Sequence, residues 1–428
     1  MMNTVWSNTG SEIDQQTVRG LGLEMQQQLF NGSNYPKAIK ISESISREDL
    51  EILNNYSGPV VLDFTLPSQH RDKDADDLTA GLSFADVLVL NTLEAELILK
   101  RAIMTHQAMQ EAAHELLTLG AKSIFLLGRH LQETSWEHDY WTNGLTSFWL
   151  TKNRFSDAKY PELRSVLSAA ITGALVLGYS VEDALIIAKM YAHQAARLAG
   201  TSLYYGGFPE NEMDLPYLSS KPLYEAPQPF QPCHRLGLYP VVDRFSWVEM
   251  LLKLGVKTIQ LRIKEKSKIL EEEMKQSIAL AKKYGATLFI NDYWDMALKL
   301  NAEAVHLGQS DLDTADLDAI RNQGLLLGVS THCYYEVARA HAICPSYIAI
   351  GPIYPTTSKE MPFLAQGIER LHRWQRTLNY PLVAIGGITI ERMPDVVATG
   401  VHGIALISAI TQADDPHRAT QQLLSFVE

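Results

Sequence analysis

With 428 residues, 37 Lys and Arg against 49 Asp and Glu, and a net charge of −12 at pH 7, the chain is too long for one ordinary core and too acidic to take nucleic acid or an anionic membrane as its main partner. No run of about 18 apolar residues occurs, and MMNTVWSNTGSEIDQQ has no basic segment leading into an apolar core, so neither export nor membrane insertion is expected. The three cysteines, Cys233, Cys333 and Cys344, form no CxxC pair, which argues against a zinc site or a disulfide framework and points to a reducing cytoplasm.

From the N-terminus, β-rich apolar runs at 37–41, 60–64, 87–90 and 123–127 and helical patterns at 46–53, 92–99, 109–119, 163–177 and 181–199 predict an α/β domain over 1–204, an open sheet flanked by helices. Between 205 and 235 stand six prolines, Gly206 with Gly207, and Ser219 with Ser220, with little periodicity. That stretch reads as a Pro-rich linker.

Beyond it, apolar runs at 236–242, 258–262, 287–290, 304–307, 325–329, 347–350, 382–385 and 403–407 alternate with helical segments such as 269–284 and 335–343. A β/α unit repeated eight times predicts a (β/α)8 TIM barrel over 236–428. Such a barrel is packed solid inside, so its chemistry belongs in the loops after the C-terminal ends of the strands.

The polar motifs fall at those ends. Gln260, Arg262 and Lys264 alternate and would share one face of a strand, a cluster that wants a polyanion; alone they also read as a solvated strand end with surface ion pairs. Asn291 and Asp292 end the third run and Asp311 follows the fourth. Two carboxylates on neighbouring loops suit magnesium, which keeps water and phosphate oxygens in its remaining positions. Taken alone, Asp292 would read as a helix N-cap. Gly386 and Gly387 after the seventh run, and Ile407 and Ser408 after the eighth, stand where barrels hold a phosphate monoester, although a tight turn also explains a pair of glycines. A metal-assisted diphosphate site would therefore face a monophosphate site.

The runs Leu238 and Tyr239; Gln260, Leu261, Arg262, Ile263 and Lys264; Asn291 and Asp292; HLGQSD ending at Asp311; GVSTH ending at His332; GPIYPT ending at Thr356; Lys359; Gln366 and Gly367; and IGGI ending at Ile388 closely resemble the thiamine-phosphate synthase family, in order, over 236–428. The resemblance implies an enzyme that joins hydroxymethylpyrimidine diphosphate to thiazole phosphate, carboxylated or not, releasing pyrophosphate. It implies that Gln260, Leu261, Arg262, Ile263, Lys264, Asn291, Ser330 and Lys359 hold the pyrimidine diphosphate, with Arg262, Lys264 and Lys359 stabilising the departing charge. By the same resemblance Asp292 and Asp311 bind Mg2+, and Thr356, Thr357, Ser358, Gly387, Ile407 and Ser408 hold the thiazole phosphate. The residue before Lys359, usually Thr in the family, is Ser358 here, and Ile263 replaces a commonly acidic residue. Small-molecule substrates are the implied partners; self-association as a homo-oligomer is left open. No general base is required, so His332 and Cys333 read as loop or packing residues.

In the first domain, Val60 to Asp63 with Asn91, Thr92 and Glu94, Gly128 with Arg129, and the run from Val166 to Ala170 resemble, more distantly, hydroxymethylpyrimidine (phosphate) kinases of the ribokinase class. The family needs a Gly-rich anion hole before the last of these, where this chain has Pro161, Glu162, Leu163, Arg164 and Ser165. Glu162 would bring a bulky side chain and a negative charge to a phosphoryl site. The family's Lys is Leu127 here, a Gly is Arg129, and an N-terminal Gly-rich segment has no counterpart. Asn91 and Glu94 also read as a simple helix start. The expectation is a truncated, catalytically silent kinase-like domain, kept for assembly, stability or binding. A bifunctional kinase and synthase, or a tautomerase-like or regulatory barrel, are the alternatives.

Overall fold

Runs such as VLVLN are apolar on both sides of the pleat, as strands buried on both faces of a parallel sheet must be. The computed structural model describes residues 4–26, 35–42, 47–64, 81–129, 131, 135–154, 162–233, 236–264, 269–356 and 363–427. The chain divides into two units between Ala226 and Pro227.

The first unit contains β1 (Thr4–Ser7), α1 (Glu12–Gly20), β2 (Glu24–Gln26), β3 (Ala38–Ser42), α2 (Arg47–Asn54), β4 (Val60–Asp63), β5 (Val87–Asn91), α3 (Thr92–Leu99), α4 (His106–Leu117), β6 (Ile124–Leu127), β7 (Trp136–Thr142), β8 (Ser147–Asn153), α5 (Leu163–Val176), α6 (Val181–Arg197) and β9 (Tyr217–Ser219). Its nine strands form one sheet in the order β2-β1-β3-β4-β5-β6-β7-β8-β9. The strands from β2 to β6 run parallel, and β7, β8 and β9 add on antiparallel. The four strands and five helices expected here are present within a few residues of their predicted bounds. The β7–β8 hairpin, β1, β2, β9 and α1 come in addition. Residues 205–226 pack with this unit, where β9 pairs with β8. From 227 onward the amides of Phe230 and Cys233 bond the carbonyls of Cys344 and Ser346 in the second unit.

The second unit contains β10 (Gly237–Val242), α7 (Phe245–Lys253), β11 (Thr258–Leu261), α8 (Leu270–Tyr284), β12 (Thr287–Asn291), α9 (Trp294–Lys299), β13 (Ala304–Leu307), α10 (Leu317–Asn322), β14 (Leu326–Thr331), α11 (Tyr334–His341), β15 (Tyr347–Ile350), α12 (Gly367–Thr377), β16 (Leu382–Ile385), α13 (Met393–Ala398), β17 (Gly403–Leu406), α14 (Ser408–Thr411) and α15 (Pro416–Leu424). The eight strands close into a parallel barrel, β17 pairing back onto β10. Local sequence sets the helices between them: α8 opens with Glu271, Glu272 and Glu273, ends with Lys282 and Lys283, and stops at Gly285 in the left-handed region. All eight predicted strands exist. The second is shorter than expected, ending at Leu261, so Arg262 and Lys264 lie beyond it.

Candidate active site

Side chains alternate across a strand, so each inward register continues from the barrel's interior to its mouth. Phe289 is followed inward by Asn291 on β12, Ala304 by His306 on β13, and Gly328 by Ser330 on β14. Tyr239, Val241, Phe289, Tyr347 and Val383 fill the interior. One pleat higher, polar residues take over and floor a cavity of about 490 Å³.

Eleven candidate site residues singled out from sequence line this cavity: Gln260, Arg262, Asn291, Asp292, Asp311, Ser330, Thr356, Gly386, Gly387, Ile407 and Ser408. Lys264 does not converge with Gln260 and Arg262 as a continuous strand would require. It is exposed, and with Ile263 it lines an adjoining groove that shares Val241, Arg262 and Ile407 with the cavity. The reason is the end of β11 at Leu261, after which strict alternation is lost. Leu261 is fully buried on the opposite face of β11 from Gln260, and its side chain does not line the cavity. Thr357, Ser358 and Lys359 lie outside the described residues.

Asp292 has φ 65°, a left-handed conformation uncommon outside glycine. Its amide bonds the carbonyl of His306 at 3.0 Å, which ties the turn to the next strand. Helix α9 is capped at Tyr293 with no side-chain bond, so Asp292 is not the N-cap that its position alone suggests. Burial and the neighbouring Asp311 carboxylate push the Asp292 carboxyl up to about 6, against the opposing pull of Arg262 and Asn291. Asp311 is itself held by the amide of Gly308 at 3.0 Å. Two neighbouring carboxylates at the cavity mouth make a donor set of hard oxygens, the chemistry a magnesium ion fits. Among the described residues no larger group of His, Cys, Asp and Glu is arranged around a metal position.

On the opposite wall, Gly386 and Gly387 have φ 99° and 65°. A Cβ on Gly387 would lie 2.6 Å from the carbonyl oxygen of Pro355 and 2.7 Å from that of Tyr354. The loop after β15 thus rests directly on backbone, fixed by the amides of Ile353 and Tyr354 bonding the carbonyls of Ile385 and Gly386. Only glycine fits here, for steric reasons that stand apart from any ligand.

Sequence reasoning passed over several cavity residues. His332, read as a loop residue, lines the wall, stacks on Phe363 with centroids 4.6 Å apart, and bonds Glu336 at 2.7 Å. His306 joins Ser330 Oγ at 2.8 Å to Tyr347 Oη at 2.6 Å. Tyr347 Oη lies 2.9 Å from Tyr239 Oη, which accepts from Gln260 Nε2 at 3.2 Å. The signal for this polar floor was available, since His306 and Tyr347 sit at inward positions where branched aliphatics usually stand.

In the first unit, the carboxyl ends of β4 and β5 and the first turn of α5 meet. Arg164 donates from Nε to Asp63 at 2.7 Å and from Nη1 to Glu94 at 2.5 Å, and its Nη2 bonds the carbonyl of Phe64. Ser168 donates to Asp63 at 2.6 Å, and Lys40 pairs with Asp14 at 2.5 Å. Asn91 and Glu94 form a reciprocal capping box at the start of α3. Glu162 stands exposed at the start of α5.

A closed (β/α)8 barrel with an acidic pair and an arginine at one side of its mouth, and glycine-lined strand ends at the other, defines a phosphate-handling barrel enzyme. Residues 238–410 match the model of the thiamine monophosphate synthase family, and residues 41–210 match that of phosphomethylpyrimidine kinase. The thiamine-phosphate synthase of Proteus mirabilis is 57% identical over 196 residues, covering 45% of this chain and 91% of its own. That of Pectobacterium atrosepticum is 58% identical over 204 residues, covering 47% of this chain and 96% of its own. The solved thiamine phosphate pyrophosphorylase of Pyrococcus furiosus is 31% identical, covering 45% of this chain and 96% of its own, with TM-score 0.41. The chain belongs to the thiamine-phosphate synthase family: its barrel is a transferase of thiamine biosynthesis, preceded by a phosphomethylpyrimidine kinase-like domain.

Proposed function

We propose that the barrel cavity condenses hydroxymethylpyrimidine diphosphate with thiazole phosphate through early loss of pyrophosphate. The observation that carries this is the convergence of Arg262 with Asp292 and Asp311 on one wall of the cavity, opposite the strand-end backbone of Gly387 and Ser408. The C–O bond to diphosphate breaks and the leaving group keeps the electron pair. The pyrimidine-methyl cation is delocalised by the ring's amino group, and the thiazole nitrogen lone pair then forms the C–N bond. Arg262 faces the charge that develops on the leaving oxygen, where a fixed cation is worth most. Asp292 and Asp311 would hold Mg2+, which when bound supplies Lewis-acid stabilisation of the diphosphate. Asn291, Ser330 and Gln260 would orient the pyrimidine, and the backbone of Gly387 with Ile407 and Ser408 would hold the thiazole phosphate. Lys264, at the adjoining groove, and Lys359 would act on the outer diphosphate oxygens. No proton needs to move, which fits a site built from cations and amides.

Purified protein with magnesium and both substrates should release pyrophosphate. Arg262→Ala and Asp292→Asn should each lower the rate by about 10²-fold or more while the protein stays folded. Near-normal rates in either variant would exclude the assignment.

For the first unit we propose catalytic silence. The crevice beyond the strand ends, where open α/β sheets take ligands, is crossed by Arg164 in its ion pairs with Asp63 and Glu94. Phosphorylation of hydroxymethylpyrimidine phosphate by ATP that disappears in Asp63→Asn would establish the bifunctional alternative instead. The acidic net charge argues against nucleic acid as a partner. No helix among the described residues is long and apolar enough to cross a membrane, and the low cysteine count, three in 428 residues with no CxxC pair, accords with a cytoplasmic setting.

A further inference from the structure

We infer that Tyr347 is a positioning residue: through His306 and Tyr239 it fixes the hydrogen-bond polarity of Ser330 and Gln260, so that the cavity offers one donor and one acceptor to an amino-substituted ring. The inference rests on the pyrimidine occupying the cavity as proposed above.

The chain of bonds has a direction. Gln260 Nε2 can only donate, so Tyr239 Oη accepts at 3.2 Å and must place its own proton elsewhere. The neighbour at 2.9 Å is Tyr347 Oη, which on accepting that proton turns its own toward His306 Nδ1, 2.6 Å away. A neutral imidazole that accepts at Nδ1 carries its proton on Nε2, which lies 2.8 Å from Ser330 Oγ. Ser330 then accepts from below, and its hydroxyl proton is left for a ligand. Gln260, having spent an amide proton inward, keeps Oε1 as an acceptor.

The packing holds this arrangement. Tyr347 is fully buried, lies edge-on to Phe289 with centroids 5.2 Å apart, and stacks on His306 at 5.7 Å. A Cβ on Gly328 would lie 2.2 Å from Tyr347 Cζ, so the strand leaves out a side chain to admit the ring. Burial raises the pKa of both tyrosine hydroxyls, which keeps their protons in the chain.

An aminopyrimidine presents an N–H donor next to a ring-nitrogen acceptor and matches this polarity. The corresponding oxo-pyrimidine presents an acceptor next to an N–H donor and would leave groups unpaired on both sides, the costly case. Tyr347 thus selects amino over oxo rings without touching either.

The test combines a spectroscopic and a kinetic readout. In 15N-labelled wild-type protein, the His306 imidazole should show the Nε2–H tautomer, and the Nδ1–H tautomer would overturn the inference. In Tyr347→Phe, KM for the amino-pyrimidine diphosphate should rise about tenfold. KM for the thiazole phosphate should hold, and inhibition by the oxo-pyrimidine diphosphate should not weaken. A raised pyrimidine KM in Gln260→Ala beside unchanged discrimination in Tyr347→Phe would overturn the inference alone. A pyrimidine KM untouched by Gln260→Ala would overturn the binding reading and the inference with it.

Discussion

Asp292 combines two unfavourable features, a left-handed backbone and a carboxylate pressed against Asp311. Both should be relieved together in Asp292→Gly, which in metal-free protein is expected to gain about 1 kcal/mol of stability from the backbone alone. The carboxyl contribution carries a sign that can be checked. Because the folded pKa is raised to about 6, the native state holds a proton that the unfolded chain has lost, so stability falls as pH rises from the unfolded value toward 6. The advantage of Asp292→Gly should therefore grow across that window and level off above it, while synthase turnover is lost. Urea denaturation in chelator at several pH values measures the first effect. A variant no more stable than wild type at pH 8 would show that Asp292 is not strained. At this scale the acidic pair and Arg262 were legible from residue type and position, and Ser330 only through the family resemblance. The inward polar positions of His306 and Tyr347 were visible as well, but the direction of their hydrogen bonds was not, since it depends on which ring nitrogen and which hydroxyl face each other across strands.

Helix α5 shows what an element can conceal. Its first turn carries Arg164 into four partners, Asp63 on β4, the Phe64 carbonyl just beyond it, the Val89 carbonyl on β5 and Glu94 on α3, with the guanidinium largely buried. Removing one member of a buried ion network strands the others, so Arg164→Ala should cost about 3–5 kcal/mol and lower the unfolding midpoint of the first unit without creating kinase turnover. If stability is unchanged, Arg164 is a surface charge and the silent-domain reading loses its main support. The β7–β8 hairpin escaped the sequence reading for a related reason. Asn143 and Gly144 between aromatic runs are a strong turn signal, but Glu137, Asp139 and Lys152 interrupt the apolar alternation. Glu137 and Asp139 are neutralised by Lys189 on α6 at 2.7 and 2.6 Å, a pairing distant in sequence. The barrel strands were legible almost to the residue, because runs buried on both faces need no such partner.

At the level of the whole molecule, the relatives that match the barrel consist almost entirely of it, with 91–96% of their length aligned. A chain cut at the boundary between Ala226 and Pro227 should therefore keep its synthase turnover within about twofold, as a domain with its own core can. Pyrophosphate release by residues 227–428 alone measures this, and loss of turnover in a folded fragment would mean that the first unit contributes to catalysis. The position of the boundary was only roughly legible, since proline and glycine density marks irregular backbone and says nothing about which unit that backbone packs against.

The missing side chain at Gly328 ties that position to Tyr347. In diverging homologues the two sites should drift as a couple: where the tyrosine gives way to a smaller residue, alanine or serine becomes tolerable at the glycine, and where the tyrosine persists, it does not.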